Sequence, residues 1–118
     1  MGWVVEDIVC RWRAKFGVYG AFEWERFIDD CGLRWRVADL PASLPALIIG
    51  KTIFVRRGLD SLLTAYYVWH EIGHWACHFG SREFWLSRPQ GYLTLSKMER
   101  QASEFALLFP VWGWDSMI

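Results

Sequence analysis

The chain has 118 residues, with 13 basic and 13 acidic side chains and a formal net charge of zero at pH 7. Apolar residues make up 53% and charged residues 22%, which is typical of one globular domain over residues 1–118 and excludes a disordered chain. The balanced charge predicts no broad electrostatic surface for binding nucleic acid or an anionic membrane.

The first third of the chain predicts two amphipathic helices and a strand. Residues 3–16 and residues 21–31 each place their apolar side chains on one stripe, and a glycine follows each run. Residues 33–37 alternate apolar side chains with arginines, which predicts a strand with one face in water.

A hairpin is predicted next. Residues 46–55 contain two short apolar runs joined by Gly50 and Lys51, a combination typical of a tight turn between strands. Together with the preceding strand, this hairpin predicts a small, mostly antiparallel sheet of three strands.

Two long helices are predicted in the second half of the chain. Either Asp60 or Ser61 can cap the first, which extends to about His78. The second spans residues 94–109 and ends before Pro110. With the earlier elements, the pattern predicts a single α+β domain in which about four helices pack with the sheet.

The connection between these long helices is expected to lack regular structure. Gly80 is a typical helix end, and Pro89 and Gly91 indicate a turn within the connecting residues 81–95.

The stretch AYYVWHEIGHWACHFG, residues 65–80, contains the pattern His-Glu-x-x-His at His70, Glu71 and His74. Helix positions four apart lie about 40° apart around the axis and about 6 Å along it, so the two histidines can share one zinc ion. Glu71 is placed to take a proton from an attacking water and to pass it to the leaving amine. Gly73 costs about 1 kcal/mol in a helix relative to alanine, which predicts that another backbone comes close there.

A third metal ligand must come from outside this pattern. Cys77 and His78 lie too far along the same helix, so we expect Cys77 to pack in the core and His78 to lie beside the ligands or in the core. Peptide deformylases use a cysteine in a Gly-Cys-Leu context before the same motif. Cys31 stands in Asp-Cys-Gly-Leu, with the glycine on the wrong side, so deformylase-like hydrolysis is a distant alternative.

The last helix offers Glu99 and Glu104 as further candidates. At about 100° per residue, Glu99 lies in line with the small residues Ala102 and Ala106 at the edge of the apolar face, whereas Glu104 points nearly opposite. The geometry therefore favours Glu99. Residues 96–99 also fit the capping-box pattern Ser-x-x-Glu, so a purely structural role for Glu99 stays open.

These residues give the chain a resemblance to the ImmA/IrrE family of zinc metallopeptidases. The resemblance rests on HEIGHWACH at residues 70–78 and on ERQASEFALLFP at residues 99–110, which is similar to the family's E-x-E-A-x-x-F-A…L-L-x-P helix. Looser support comes from CGLRWRVADLP at residues 31–41.

The resemblance implies a zincin-like core and a zinc-dependent endopeptidase. By position, it assigns His70, His74 and Glu99 as zinc ligands and Glu71 as the catalytic base. Gln101 departs from the family pattern, which often has a second glutamate there. Family members typically cleave a helix-turn-helix repressor of a phage or mobile element, so the expected partner is a protein substrate and not nucleic acid.

A binding function is the main alternative. Nine tryptophans in this chain could form a surface that sequesters a protein partner, while zinc serves only for structure. Residues 105–114, the most apolar segment, are too short for a membrane helix, and no signal peptide is expected. Three cysteines, an odd number, favour reduced thiols, so we expect a cytoplasmic protein. We also expect a monomer.

Overall fold

The computed structural model describes residues 5–78 and 91–113, and it describes only the backbone of residues 91–94. In this part of the chain, four α-helices and a three-stranded sheet form an α+β fold, which confirms the predicted class. Among the described residues, no helix combines the length and the hydrophobicity needed to cross a bilayer.

Two short helices open the fold, as their apolar stripes predict. Helix α1 spans Val5–Phe16, and a 3-10 turn at Ala21–Glu23 leads into helix α2, Trp24–Cys31. The glycines after these helices, Gly17 and Gly32, have φ angles of 95° and 80°, which an L side chain rarely adopts.

The sheet is mixed rather than mostly antiparallel, so that prediction was wrong. Strand β2, Ala46–Ile49, and strand β3, Thr52–Arg56, form the predicted antiparallel hairpin. Strand β1, Arg34–Ala38, instead pairs with β3 in parallel, giving the order β1-β3-β2. The loop of residues 39–45 carries the chain past the position of β3, so that the hairpin returns β3 into the middle of the sheet.

Strand β1 does not have the one dry face that its alternating pattern predicts. It lies at a sheet edge, and its apolar side chains Trp35 and Val37 are 36% and 45% exposed. Leu33, just before the strand, is the side chain that enters the core. The Trp35 ring packs edge-on against Trp24.

Helix α3 spans Ser61–His78, close to its predicted bounds. The Leu63 N–H donates to Asp60 Oδ1 at 2.8 Å, so Asp60, rather than Ser61, caps the helix. The predicted helix end at Gly80 lies outside the described residues.

Helix α4 spans Gly91–Leu108, which is an earlier start than predicted. Ser96 and Glu99 therefore lie inside the helix, and the capping-box role of Glu99 is excluded because that role belongs to the first turn. Of the predicted connection, residues 81–90 lie outside the described residues.

Helices α3 and α4 pack against each other through small residues. Ala102 and Ala106 of α4 are fully buried, and the Ala102 backbone lies directly against Gly73 of α3. The Trp69 indole of α3 is fully buried, and its Nε1–H donates to Ala21 O at 2.7 Å. Aromatic rings from α1, α2, α4 and the residue just after α4 complete the core: Trp12, Phe16, Phe27, Phe105 and Phe109.

Candidate metal centre

The His-Glu-x-x-His residues of α3 converge as their helical spacing predicts. His70, Glu71 and His74 each offer a ligand atom, and these atoms lie within 4.8 Å of one another. Glu71 and His74 are 4% and 3% exposed, and the His70 side chain is 12% exposed. Within the described residues, this cluster could hold a metal ion.

Glu99 reaches the cluster from helix α4. Its Oε2 lies 2.8 Å from His70 Nε2, and its Oε1 lies 3.0 Å from His74 Nε2. Glu99 precedes Ala102 by about one helical turn, so the close packing of Ala102 on Gly73 carries Glu99 to the two imidazoles. Glu104, the other candidate on this helix, is exposed.

The imidazole of His74 carries a buried nitrogen without a hydrogen bond in the described part of the chain. Its Nε2 atom is close to Glu99 Oε1, yet the oxygen lies outside the direction in which the ring nitrogen can form a hydrogen bond. Leaving such an atom unbonded costs about 1–3 kcal/mol. A cation that accepts the nitrogen lone pair removes this cost, so the unbonded atom fits a metal site.

The separations of the donor atoms also fit a tetrahedral ion. Two ligands held about 2.0 Å from one tetrahedral zinc ion lie about 3.3 Å from each other. The contacts of Glu99 with His70 and His74, at 2.8 and 3.0 Å, need to open by only a few tenths of an ångström. Two imidazoles and one carboxylate are a donor set that zinc accepts.

The charge state of Glu99 suits a metal ligand. The hydrogen bond with His70, and then the neighbouring His74 imidazole, hold the pKa of the Glu99 carboxyl well below its usual range. Glu99 is therefore ionised at neutral pH, and a carboxylate must be ionised to bind a cation.

Glu71 is held by the sheet. The backbone N–H of Ile48 in β2 donates to Glu71 Oε1 at 3.0 Å. Arg56 N–H donates to Pro45 O, so Pro45, just before β2, is at a position that is hydrogen-bonded to β3. Hydrogen-bonded and non-hydrogen-bonded positions alternate along an antiparallel pair, so the backbone N–H and C=O groups of Ala46 and Ile48 face away from β3. The outer edge of β2 thus fixes the orientation of the Glu71 carboxylate.

Three further contacts surround the cluster, and the sequence alone did not indicate two of them. Ser103 Oγ lies 3.2 Å from His70 Nδ1, and Gln101 Oε1 lies 2.7 Å from His78 Nε2. His78 is buried with its Nδ1 at 3.4 Å from His74 Nδ1, in agreement with the expected position beside the ligands. Ser103 follows Glu99 by about one turn, and this spacing was the available signal.

The two cysteines considered as ligands, Cys31 and Cys77, both lie outside the His70 cluster. Cys77 is partly buried, outside the His70 cluster, and burial raises the pKa of its thiol to about 11. Cys31 ends α2, and its Sγ contacts Ile28 O at 3.6 Å. The cluster found among the described residues contains no cysteine, so the structure does not bring Cys31 to the site that a deformylase-like ligand would occupy.

Comparisons of the chain with protein-family models, with characterised proteins and with solved structures gave no match.

Proposed function

We propose that the chain is a zinc-dependent endopeptidase with a zincin-like core, similar to the ImmA/IrrE metallopeptidases. One observation carries the proposal: a carboxylate from α4, that of Glu99, contacts the Nε2 atoms of both His70 and His74. A second carboxylate, that of Glu71, is buried and lies beside these groups. A purely structural pair of histidines has no need for both carboxylates.

In this proposal His70, His74 and Glu99 hold the ion. When bound, zinc supplies a Lewis acid that polarises a carbonyl group and acidifies water. The buried side chains of His74 and Glu71 limit the access of bulk water, and a low-dielectric surrounding strengthens the electrostatic interactions made there.

Glu71 acts as the general base and then as the general acid. As water attacks the carbonyl carbon of the scissile peptide bond, the Glu71 carboxylate takes the water proton. When the C–N bond breaks, the same carboxyl group gives that proton to the leaving amine. The Ile48 N–H, bonded to Glu71 Oε1, keeps the carboxylate oriented during both transfers.

Strand β2 supports a peptide substrate rather than a small molecule. It is the last strand in the order β1-β3-β2, and among the described residues no other strand pairs with its outer edge. Ala46 and Ile48 direct their backbone groups to this edge, and Ile48 also touches the base. An extended substrate segment can add to such an edge and present its peptide bond beside Glu71.

The substrate that we propose is a helix-turn-helix repressor of a phage or mobile element, and this comes from the family resemblance alone. We propose that cleavage takes place in the cytoplasm, which three free cysteines favour, and that the chain acts as a monomer. The test is to incubate the purified chain and zinc with any helix-turn-helix repressor encoded beside it, and to identify the fragments by mass spectrometry. Cleavage at one bond supports the proposal, and an intact repressor that forms no complex with the chain contradicts it.

Binding without cleavage is the second candidate function. An apolar surface formed by Val18, Phe22 and Val111, which are 63%, 57% and 49% exposed, favours it. The Phe22 ring packs near that of Trp112, so a tryptophan adjoins this surface. A stable complex with the intact repressor, unchanged by Glu71→Gln, would support this candidate.

A further inference from the structure

We propose that Gln101 and His78 are positioning residues that hold His74 in the tautomer with an unprotonated Nε2. The inference rests on the proposed metal site, because an imidazole can bind a cation only through a nitrogen that carries no proton. It assigns a role to two side chains that neither bind the metal nor touch the substrate in the proposed function.

The side-chain contacts form a series that begins on helix α4. Gln101 Oε1 lies 2.7 Å from His78 Nε2, and His78 Nδ1 lies 3.4 Å from His74 Nδ1. The second contact is long for a hydrogen bond, whereas the first has a typical length. His74 and His78 are both buried, so water does not readily replace these partners.

The direction of each hydrogen bond follows from the amide oxygen of Gln101. A carbonyl oxygen only accepts, so the proton in its contact with His78 must reside on His78 Nε2. A neutral imidazole carries one ring proton, so His78 Nδ1 accepts, and the donor is the Nδ1–H of His74. His74 then carries its lone pair on Nε2.

The nitrogen freed in this way is the one that faces the predicted metal ligands. His74 Nε2 lies 3.0 Å from Glu99 Oε1 and has no hydrogen-bond partner of suitable direction among the described residues. Metal-binding histidines generally donate their other ring N–H to a fixed partner, which sets the tautomer and the ring orientation. Here His78 is that partner, and Gln101 sets the tautomer of His78 in turn.

The first test measures the tautomer in the metal-free chain. Two-bond ¹H–¹⁵N correlation spectra at about pH 8, where imidazoles are ordinarily neutral, distinguish protonated from unprotonated ring nitrogens. We expect His74 of the wild type to carry its proton on Nδ1, and Gln101→Leu to populate the Nε2–H form. Gln101→Glu keeps an acceptor oxygen and should restore the wild-type pattern, and Lys97→Leu, an exposed change on the same helix, should leave it unchanged.

The second test measures zinc affinity by competition with a chromophoric chelator. We expect Gln101→Leu to weaken binding by about ten- to hundredfold, and Gln101→Glu and Lys97→Leu to bind as the wild type does. A wild-type His74 protonated on Nε2 would overturn the inference, because every hydrogen bond from His74 through His78 to Gln101 would then have to run in the opposite direction. An unchanged tautomer in Gln101→Leu, or an unchanged zinc affinity, would also overturn it.

The two tests separate this inference from the proposed function. If the wild-type protein binds no zinc, the proposed function is wrong. The spectra of the metal-free protein still decide whether Gln101 sets the tautomer of His74. If the wild-type protein binds zinc and Gln101→Leu has the same tautomer and the same zinc affinity, only the inference about Gln101 and His78 is wrong.

Discussion

Gly73 and Ala102 bring the two long helices together at the candidate site. A Cβ atom on Gly73 would lie 2.8 Å from the carbonyl oxygen of Ala102 and 3.0 Å from its Cα atom. This approach, available only without a side chain on Gly73, carries Glu99 to the imidazoles of His70 and His74. A residue with no chemistry of its own thus helps to position the candidate metal ligands.

Gly73→Ala should destabilise the protein and weaken zinc binding. In an ordinary helix, changing glycine to alanine stabilises the fold by about 1 kcal/mol. A loss of stability in Gly73→Ala would therefore be the opposite of what helix propensity predicts. The reason for the loss is that the new Cβ meets backbone atoms of Ala102, which cannot rotate away. Thermal unfolding and zinc competition measure the two effects.

A second variant tests whether the backbone causes the effect of Gly73→Ala. Because the contact involves the Ala102 oxygen and Cα, Ala102→Gly in the Gly73→Ala background should not restore stability. If Gly73→Ala by itself raises the melting temperature, the close approach does not limit the packing of these helices.

Glu99→Gln should weaken zinc binding by more than about a hundredfold, the upper range for losing a hydrogen-bond partner of a ligand. The reason is that an amide brings no charge to the two imidazoles that Glu99 contacts. Glu104→Gln is the matched control, since Glu104 lies on the same helix and is exposed. If the two variants have equal zinc affinities, measured by chelator competition, Glu99 is not a zinc ligand.

Ser103→Ala should weaken zinc binding by about tenfold, less than the loss of Glu99. The Ser103 hydroxyl lies 3.2 Å from His70 Nδ1, so its removal leaves that ring nitrogen without this partner. Ser103→Thr keeps a hydroxyl and should bind zinc nearly as the wild type does. If Ser103→Ala has no effect while Gln101→Leu does, His70 does not depend on this contact.

Cys31 and Cys77 should resist alkylation in the folded protein, whereas Cys10 should react. Burial raises the pKa of both the Cys31 and Cys77 thiols to about 11, so at about pH 8 only roughly a thousandth of each is thiolate. Cys10 is exposed. Maleimide labelling followed by mass spectrometry should find one fast site, and denaturant should release the other two. Rapid labelling of all three thiols without denaturant would contradict the packing of α2 and α3.

The sequence was most informative where one helix carries the whole signal. The spacing of His70 and His74 predicts their shared face, and the angular position of Glu99 relative to Ala102 and Ala106 distinguished it from Glu104. Gly73 was also informative, because a mid-helix glycine has a cost that only packing can offset. These are properties of single helices, which periodicity reports directly.

What the sequence could not supply depends on how separate elements meet. Alternation in β1 predicts a strand but not its partner, so its parallel pairing with β3 was missed. The bond from Ile48 to Glu71 and the contact of Gln101 with His78 join elements distant along the chain. They depend on the rotation of each element against its neighbour, which no local pattern determines.

In the proposed function, Glu71 performs chemistry at a site that His70, His74 and Glu99 hold. Glu71→Gln keeps the size of the side chain and leaves these three residues in place, so the most direct measurement compares its zinc content and repressor cleavage with those of the wild type. We predict that Glu71→Gln retains an equivalent of zinc and cleaves at least about a hundredfold more slowly. A wild-type chain without metal, or a Glu71→Gln variant that cleaves as fast as the wild type, would show that Glu71 is not the base of a zinc peptidase.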